Sequence, residues 1–161
     1  MIVPDVEELT AGEPAELVVE NARRKAQAGA ELAGSGRVVL GVDTDVALDG
    51  DLLGKPADEE GARRRLRVLS GRTHEVLSGV ALVGGGREST ELVATGVTFR
   101  RLEADEINRY VASGEWMGRA GGYAVQGLGS SLIAAIDGDL SNVIGLPIPA
   151  LSGMIASLQK D

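Results

Sequence analysis

Helical and strand-like stretches alternate along this chain of 161 residues. Apolar residues at helical spacing predict helices over residues 14–33, 58–70 and 104–113, and from residue 149 onward. Strand-like apolar runs end at Ile2-Val3 or span residues 37–42, 74–83, 89–100 and 132–136. Asp49-Gly50, between the short apolar stretches 46–48 and 52–53, predicts a two-residue hairpin. Some strands follow one another directly, and others are separated by helices. The sequence therefore predicts the α/β class, with a mixed, twisted sheet flanked by helices.

The core enclosed by these elements must be aliphatic, because the aromatic side chains are only Phe99, Tyr110, Trp116 and Tyr123. The length suits a single domain over residues 1–161, and neither a repeat nor a linker divides it. No apolar run approaches the roughly 20 residues that cross a bilayer. Cysteine is absent, which excludes a disulfide framework and a thiolate metal site. We expect a cytoplasmic protein without a membrane partner.

The net charge of −8 argues against a nucleic-acid partner. Binding to DNA or RNA needs a basic face, and the run Arg63-Arg64-Arg65 is most simply the solvated face of a helix. A free nucleotide stays compatible with this charge, because a few inward cations and a divalent metal can hold a triphosphate. The motifs of P-loop kinases and serine hydrolases are missing from the sequence.

The segment Val42-Asp43-Thr44-Asp45 is the first candidate for chemistry. It follows a buried strand, at the edge where open α/β sheets usually bind ligands. There, Asp43 can hold Mg²⁺ or act as a general base. The alternative is a turn at the end of the strand, in which Asp43 and Thr44 cap backbone groups.

Two lysines are further candidates. Lys25 shares one helical stripe with Val18 and Leu32, so its ammonium must either extend outward to solvent or meet an anion. Lys55 stands between Gly54 and Pro56, an extended arrangement that suits a cation facing phosphate and is also common in surface turns.

The glycine-rich stretch 119–127 contains Arg119 and Gln126. Its glycines would let the backbone approach a ligand, and the Gln126 amide can both donate and accept, as recognition of a base requires. The alternative is a tight loop with an ordinary surface amide. His74, the only histidine, is expected to be a hydrogen-bonded structural residue, since no second histidine or cysteine completes a metal site.

The order of these motifs resembles the Maf family of nucleoside triphosphate pyrophosphatases. Val42-Asp43-Thr44, Leu48-Asp49-Gly50 and Leu53-Gly54-Lys55-Pro56 are similar to the family's GADT, LDG and LGKP. Residues 69–76 read LSGRTHEV, and residues 97–100 read VTFR, as in the family. Residues 119–127 are similar to KAGAYGIQG, and residues 138–147 to GDYSNVVGLP. The likeness runs from about residue 3 to residue 151, nearly the whole chain.

The resemblance implies a Maf/ITPase-like fold and a hydrolase that cleaves a nucleoside triphosphate between its α- and β-phosphates. It further implies a divalent cation, Mg²⁺ or Mn²⁺, and a house-cleaning role on dTTP, UTP or modified pyrimidine nucleotides. By position, Asp43 matches the proton acceptor and, with Glu7, the metal site. The substrate-binding positions are Lys25, Lys55 and Arg119 for phosphate and Thr44 and Gln126 for base preference. A homodimer is also expected.

Three departures from the family pattern leave alternatives open. The chain begins where the family's second strand would be, so the first strand and its S-x-S-P-R-R phosphate loop are expected to be missing. Arg119 stands where the family has lysine, and Asp45 replaces an apolar residue, where it would either add metal affinity or repel the triphosphate. The alternatives to a working enzyme are a catalytically impaired nucleotide-binding relative and a truncated gene product.

Overall fold

A computed structural model of the chain describes residues 5–34 and 36–158. The helices are α1 Pro14–Ala33, α2 Glu59–Leu69, α3 Ala104–Ala112, α4 Leu140–Ile144 and α5 Ile148–Leu158. The strands are β1 Val39–Leu48, β2 Asp51–Leu52, β3 Thr73–Gly84, β4 Arg87–Phe99 and β5 Ile133–Asp137. They form a sheet in the order β2-β1-β3-β4-β5. The predicted α/β class, with a sheet and flanking helices, is confirmed.

Most predicted elements lie where the sequence placed them, and β1 is the main exception. The sequence predicted its end at residue 42, whereas the strand continues to Leu48. Asp43 therefore lies inside a strand, and the alternative of a turn at this point is wrong. The predicted strand end at Ile2-Val3 lies outside the described residues. Within the described ranges, no helix has the length and apolar character needed to cross a membrane.

The predicted hairpin at Asp49-Gly50 is confirmed. β1 and β2 pair antiparallel, with Ala47 opposite Leu52. The φ angles of Asp49 and Gly50 are 55° and 88°. Positive φ at both central residues is typical of the type I′ turn, whose twist matches that of the flanking strands.

The chain divides into two compact units, and the first contains residues 5–44, 77–93 and 145–158 of the described chain. Its main feature is the close approach of α1 to two strand glycines. A β-carbon on Gly41 would overlap the carbonyl oxygen of Ala22, and one on Gly79 would overlap that of Val18. The backbone of α1 therefore rests directly on β1 and β3, which only glycine permits at these two positions.

The second unit contains residues 45–76 and 94–144. Its core cluster gathers side chains from β1, α2, β4 and α3 and includes all four aromatic residues of the sequence, Phe99, Tyr110, Trp116 and Tyr123. The start of α2 is capped by Asp58, whose carboxylate accepts a hydrogen bond from the Gly61 amide at 2.6 Å. Glu59 and Glu60, in the first turn of this helix, interact favourably with the helix dipole. The prediction that both units form one domain stays a prediction.

Candidate active site

Asp43 and Lys25 form an ion pair in the first unit. Lys25 Nζ lies 2.5 Å from Asp43 Oδ1, and the side chains are 26% and 13% exposed. The pair forms because α1 lies directly on Gly41, two residues before Asp43 on the same face of β1. Of the two alternatives for Lys25, contact with an anion is the one that the structure shows.

A second carboxylate reaches the same ammonium. Glu8 Oε1 lies 2.6 Å from Lys25 Nζ, and the Glu8 side chain is 45% exposed. Burial by itself lowers the pKa of Lys25, but the hydrogen bonds to Asp43 and Glu8 outweigh it and raise this pKa above its ordinary value. Lys25 therefore remains a cation, and one ammonium serves two carboxylates.

Asn21 completes this cluster from one turn earlier on α1. Its Nδ2 donates to Asp43 Oδ2 at 3.3 Å and to the Leu9 carbonyl at 3.1 Å. Its Oδ1 accepts from the Leu9 amide at 2.7 Å. The residue is only 4% exposed. A single buried side chain thus contacts both Asp43 and the segment that contains Glu8.

Thr44 lies between the acidic residues of β1, but side chains alternate along a strand, so it faces away from Asp43. Its hydroxyl lies 2.7 Å from that of Ser78, a fully buried residue of β3. The structure therefore does not place the Thr44 side chain with Lys25 and Asp43. Its predicted part in base preference stays a prediction.

Asp45 fixes a loop of the second unit. Its Oδ1 accepts hydrogen bonds from the amides of Val46 at 2.7 Å and Gly54 at 3.1 Å. The Gly54 carbonyl in turn accepts from the Gly121 amide at 2.9 Å. The peptide before Lys55 is therefore held between β1 and the glycine-rich stretch, which was unexpected for Asp45.

Lys55 is exposed and makes no hydrogen bond or ion pair with any residue in the described ranges. Arg119 and Gln126 are also exposed. A buried side chain holds the stretch that carries them: the Tyr110 hydroxyl accepts a hydrogen bond from the Ala124 amide at 3.1 Å. The side chains of Lys55, Arg119 and Gln126 thus extend to solvent from two backbone segments that hydrogen bonds hold in place.

His74 supports the same stretch, and the expectation of a structural histidine is confirmed. It is 2% exposed, and its Nε2 lies 2.8 Å from the Tyr123 hydroxyl. The rings of His74, Phe99 and Tyr123 pack edge to face at centroid distances of 4.8–5.4 Å. Burial lowers the pKa of His74 to about 4, so its imidazole is neutral near pH 7.

The cluster is chemically suited to a shared divalent cation. Among the described residues, no group of three or more acidic or imidazole side chains could hold a metal ion. Mg²⁺, however, is usually bound by one or two carboxylates together with substrate phosphates. Asp43 and Glu8 supply oxygen donors of this kind. Glu7 is exposed, and its assignment to the metal site stays a prediction.

Sequence reasoning missed Glu8, Asn21 and the role of Asp45. A signal for Asn21 was present, because it precedes Lys25 by four residues and so lies on the same helical face. No comparable signal marked Glu8 over its neighbour Glu7. The anchoring role of Asp45 depends on a contact nine residues away and on a glycine loop much farther along the chain.

The family's sequence model, described as Maf-like protein, matches residues 1–158. The chain belongs to the Maf family. Among curated Maf relatives, the dTTP/UTP pyrophosphatase of Symbiobacterium thermophilum is 49% identical over 91% of this chain and 76% of its own length. That of Shewanella denitrificans is 42% identical over 99% of this chain and 82% of its own length. That of Myxococcus xanthus is 50% identical over 86% of this chain and 70% of its own length.

Proposed function

We propose that this Maf-family protein is a nucleoside triphosphate pyrophosphatase that hydrolyses dTTP and UTP, or modified pyrimidine nucleotides, to the monophosphate and pyrophosphate. The observation that supports this most is the Asp43 carboxylate, held between the Lys25 ammonium and the Asn21 amide. An oriented carboxylate beside a permanent cation is suited to activate water next to a negatively charged substrate. The names of the Maf relatives agree with this chemistry.

In the reaction, Asp43 accepts a proton from a water molecule whose oxygen attacks the α-phosphorus. A bond forms between that oxygen and phosphorus, the bond to the α–β bridging oxygen breaks, and pyrophosphate leaves. Lys25 and Lys55 counter the charge of the phosphates, and Arg119 adds a further cation. Lys55 is suited to this role because it has no competing partner among the described residues.

Asp43 and Glu7 would hold a divalent cation, Mg²⁺ or Mn²⁺. Glu8, which contacts Lys25 beside Asp43, offers a further carboxylate. When bound, this cation would neutralise charge on the triphosphate. For the base, we assign Gln126 and Thr44. Gln126 is exposed and can both donate and accept, as a pyrimidine requires.

The wider setting of the protein is also a proposal. We propose a cytoplasmic location, which agrees with a chain that has no cysteine and so does not need an oxidising compartment to form disulfides. The net charge of −8 supports a free nucleotide rather than nucleic acid as the partner. We also propose the homodimer implied by the resemblance. Analytical ultracentrifugation, which measures the mass of the assembly in solution, tests it directly.

The test is pyrophosphate release from dTTP, UTP, CTP and GTP with Mg²⁺ or Mn²⁺, for the wild type and for Asp43→Asn. We expect the variant to lose about 10²- to 10⁴-fold in kcat, the range that a general base supplies. Asp51→Asn is the matched control, because it removes an exposed carboxylate from the adjoining hairpin.

Activity that persists in Asp43→Asn would contradict the assigned base. A melting temperature that rises with dTTP, without any release of pyrophosphate by the wild type, would instead identify a nucleotide-binding relative.

A further inference from the structure

Asn21 is a buried polar residue in a helix that otherwise buries small and apolar side chains. The buried residues of α1 are Pro14, Leu17, Val18, Asn21, Ala22, Ala26 and Gly29. A buried amide is costly unless its donors and acceptor are satisfied. Asn21 satisfies them outside its own helix, through the backbone of Leu9 and the carboxylate of Asp43.

The three contacts fix which way the amide faces. The Leu9 N–H can only donate, so the oxygen of Asn21 must face it, and the NH₂ group then faces the Leu9 carbonyl and Asp43 Oδ2. An aspartate at this position would keep the first contact and lose both donors. Asparagine is therefore the side chain that fits all three partners.

The same contacts link two parts of the acidic cluster. Both backbone groups of Leu9 are bound, so the segment that contains its neighbour Glu8 is fixed in position against Lys25. The remaining N–H of the amide bonds the Asp43 oxygen that Lys25 does not contact. Asn21 thus sets the orientation of Asp43, the proposed general base, and the position of the Glu8 carboxylate.

We propose that Asn21 is a positioning residue for the reaction: it orients the Asp43 carboxylate and anchors the Glu8–Leu9 segment to α1. This inference rests on the proposed function. It predicts a change in turnover rather than in substrate binding, because Asn21 contacts Asp43, the proposed general base, and not the nucleotide.

Two variants separate the two roles. Asn21→Leu is similar in size and removes all three hydrogen bonds. Asn21→Asp keeps an acceptor for the Leu9 amide but replaces the donor to Asp43 by a second negative charge. We expect both to lose about ten- to a hundredfold in kcat, the value of a hydrogen bond to a charged group, with KM changed less than about threefold.

Hydrogen exchange of the Leu9 amide provides a readout that does not depend on activity. We expect this amide to lose its protection in Asn21→Leu and to keep it in Asn21→Asp. Val18→Ala is the control, because Val18 is a buried residue one turn earlier on α1 and its truncation loosens the helix without touching Asp43. It should lower the melting temperature and leave kcat near that of the wild type.

The outcomes are distinct. Unchanged kcat in Asn21→Asp and Asn21→Leu would overturn the positioning of Asp43, as would an equal loss in Val18→Ala. Unchanged protection of Leu9 in Asn21→Leu would overturn the anchoring. If the wild type releases no pyrophosphate, the proposed function fails, and the exchange measurement still decides whether Asn21 anchors the acidic segment.

Discussion

At the scale of single residues, the Lys25 ammonium joins two carboxylates that would otherwise repel each other. Asp43 is only 13% exposed, whereas Glu8 is 45% exposed and keeps much of its hydration. A carboxylate with little access to water depends on its partner for stabilisation. The contact between Lys25 and Asp43 therefore matters to folding as well as to the proposed chemistry.

We expect Lys25→Met to lower the free energy of unfolding by about 1–3 kcal/mol, because it leaves Asp43 without its cation. In an Asp43→Asn background, where only the half-exposed Glu8 loses its cation, the same substitution should cost less than about 1 kcal/mol. Urea unfolding of the four proteins measures the coupling. Equal costs in both backgrounds would show that the pair contributes nothing to stability.

At the scale of elements, much of the secondary structure could be predicted from the sequence. The bounds of α1 agree with its helical stripe, and the hairpin after Leu48 follows from Asp49-Gly50. The end of β1 could not be predicted in the same way. The consecutive polar residues Asp43, Thr44 and Asp45 indicate a turn when they are considered alone, and only their partners in the fold keep them in a strand.

Those partners lie far away along the chain, which is why sequence reasoning reached only part of the site. Asp43 meets Lys25, 18 residues earlier, and Thr44 meets Ser78, 34 residues later. Local patterns identified Lys25 and Asp43 separately as candidates. Their contact depends on the packing of α1 against Gly41, which no local pattern reveals.

The loop before Lys55 provides a prediction at this scale. Asp45→Ala removes the acceptor of the Gly54 amide, so Lys55 should be held less firmly and KM for the triphosphate should rise about five- to tenfold. Asp45→Asn keeps an acceptor oxygen and should stay close to the wild type. Steady-state kinetics of both variants checks this, and an equal effect in both would mean that the charge of Asp45 matters instead.

At the scale of the whole molecule, His74 makes unfolding sensitive to acid. In the unfolded chain its imidazole titrates near pH 6.5, whereas in the folded protein its pKa is about 4. Between these values the unfolded state binds more protons. The stability that this group contributes is therefore complete above about pH 6.5 and is lost as the pH falls toward 4.

We expect the unfolding free energy of the wild type to fall by about 2 kcal/mol more than that of His74→Gln between pH 7 and pH 5. The glutamine variant has no titrating group at this position, so it serves as the reference for the wild type at each pH. Denaturant unfolding at several pH values measures both slopes. Parallel slopes would show that His74 does not bind a proton on unfolding.

The contact between α1 and the glycines of β1 and β3 has a consequence for how this protein tolerates change. Replacing glycine by alanine is a common route to greater stability, and Gly153 in α5 has open space for the added methyl group. At Gly41 and Gly79 the same methyl group would push the helix off the sheet, and Lys25 and Asn21 would move with it. Two positions without a side chain thus tolerate substitution poorly, because the space that a side chain would need is filled by the backbone of α1.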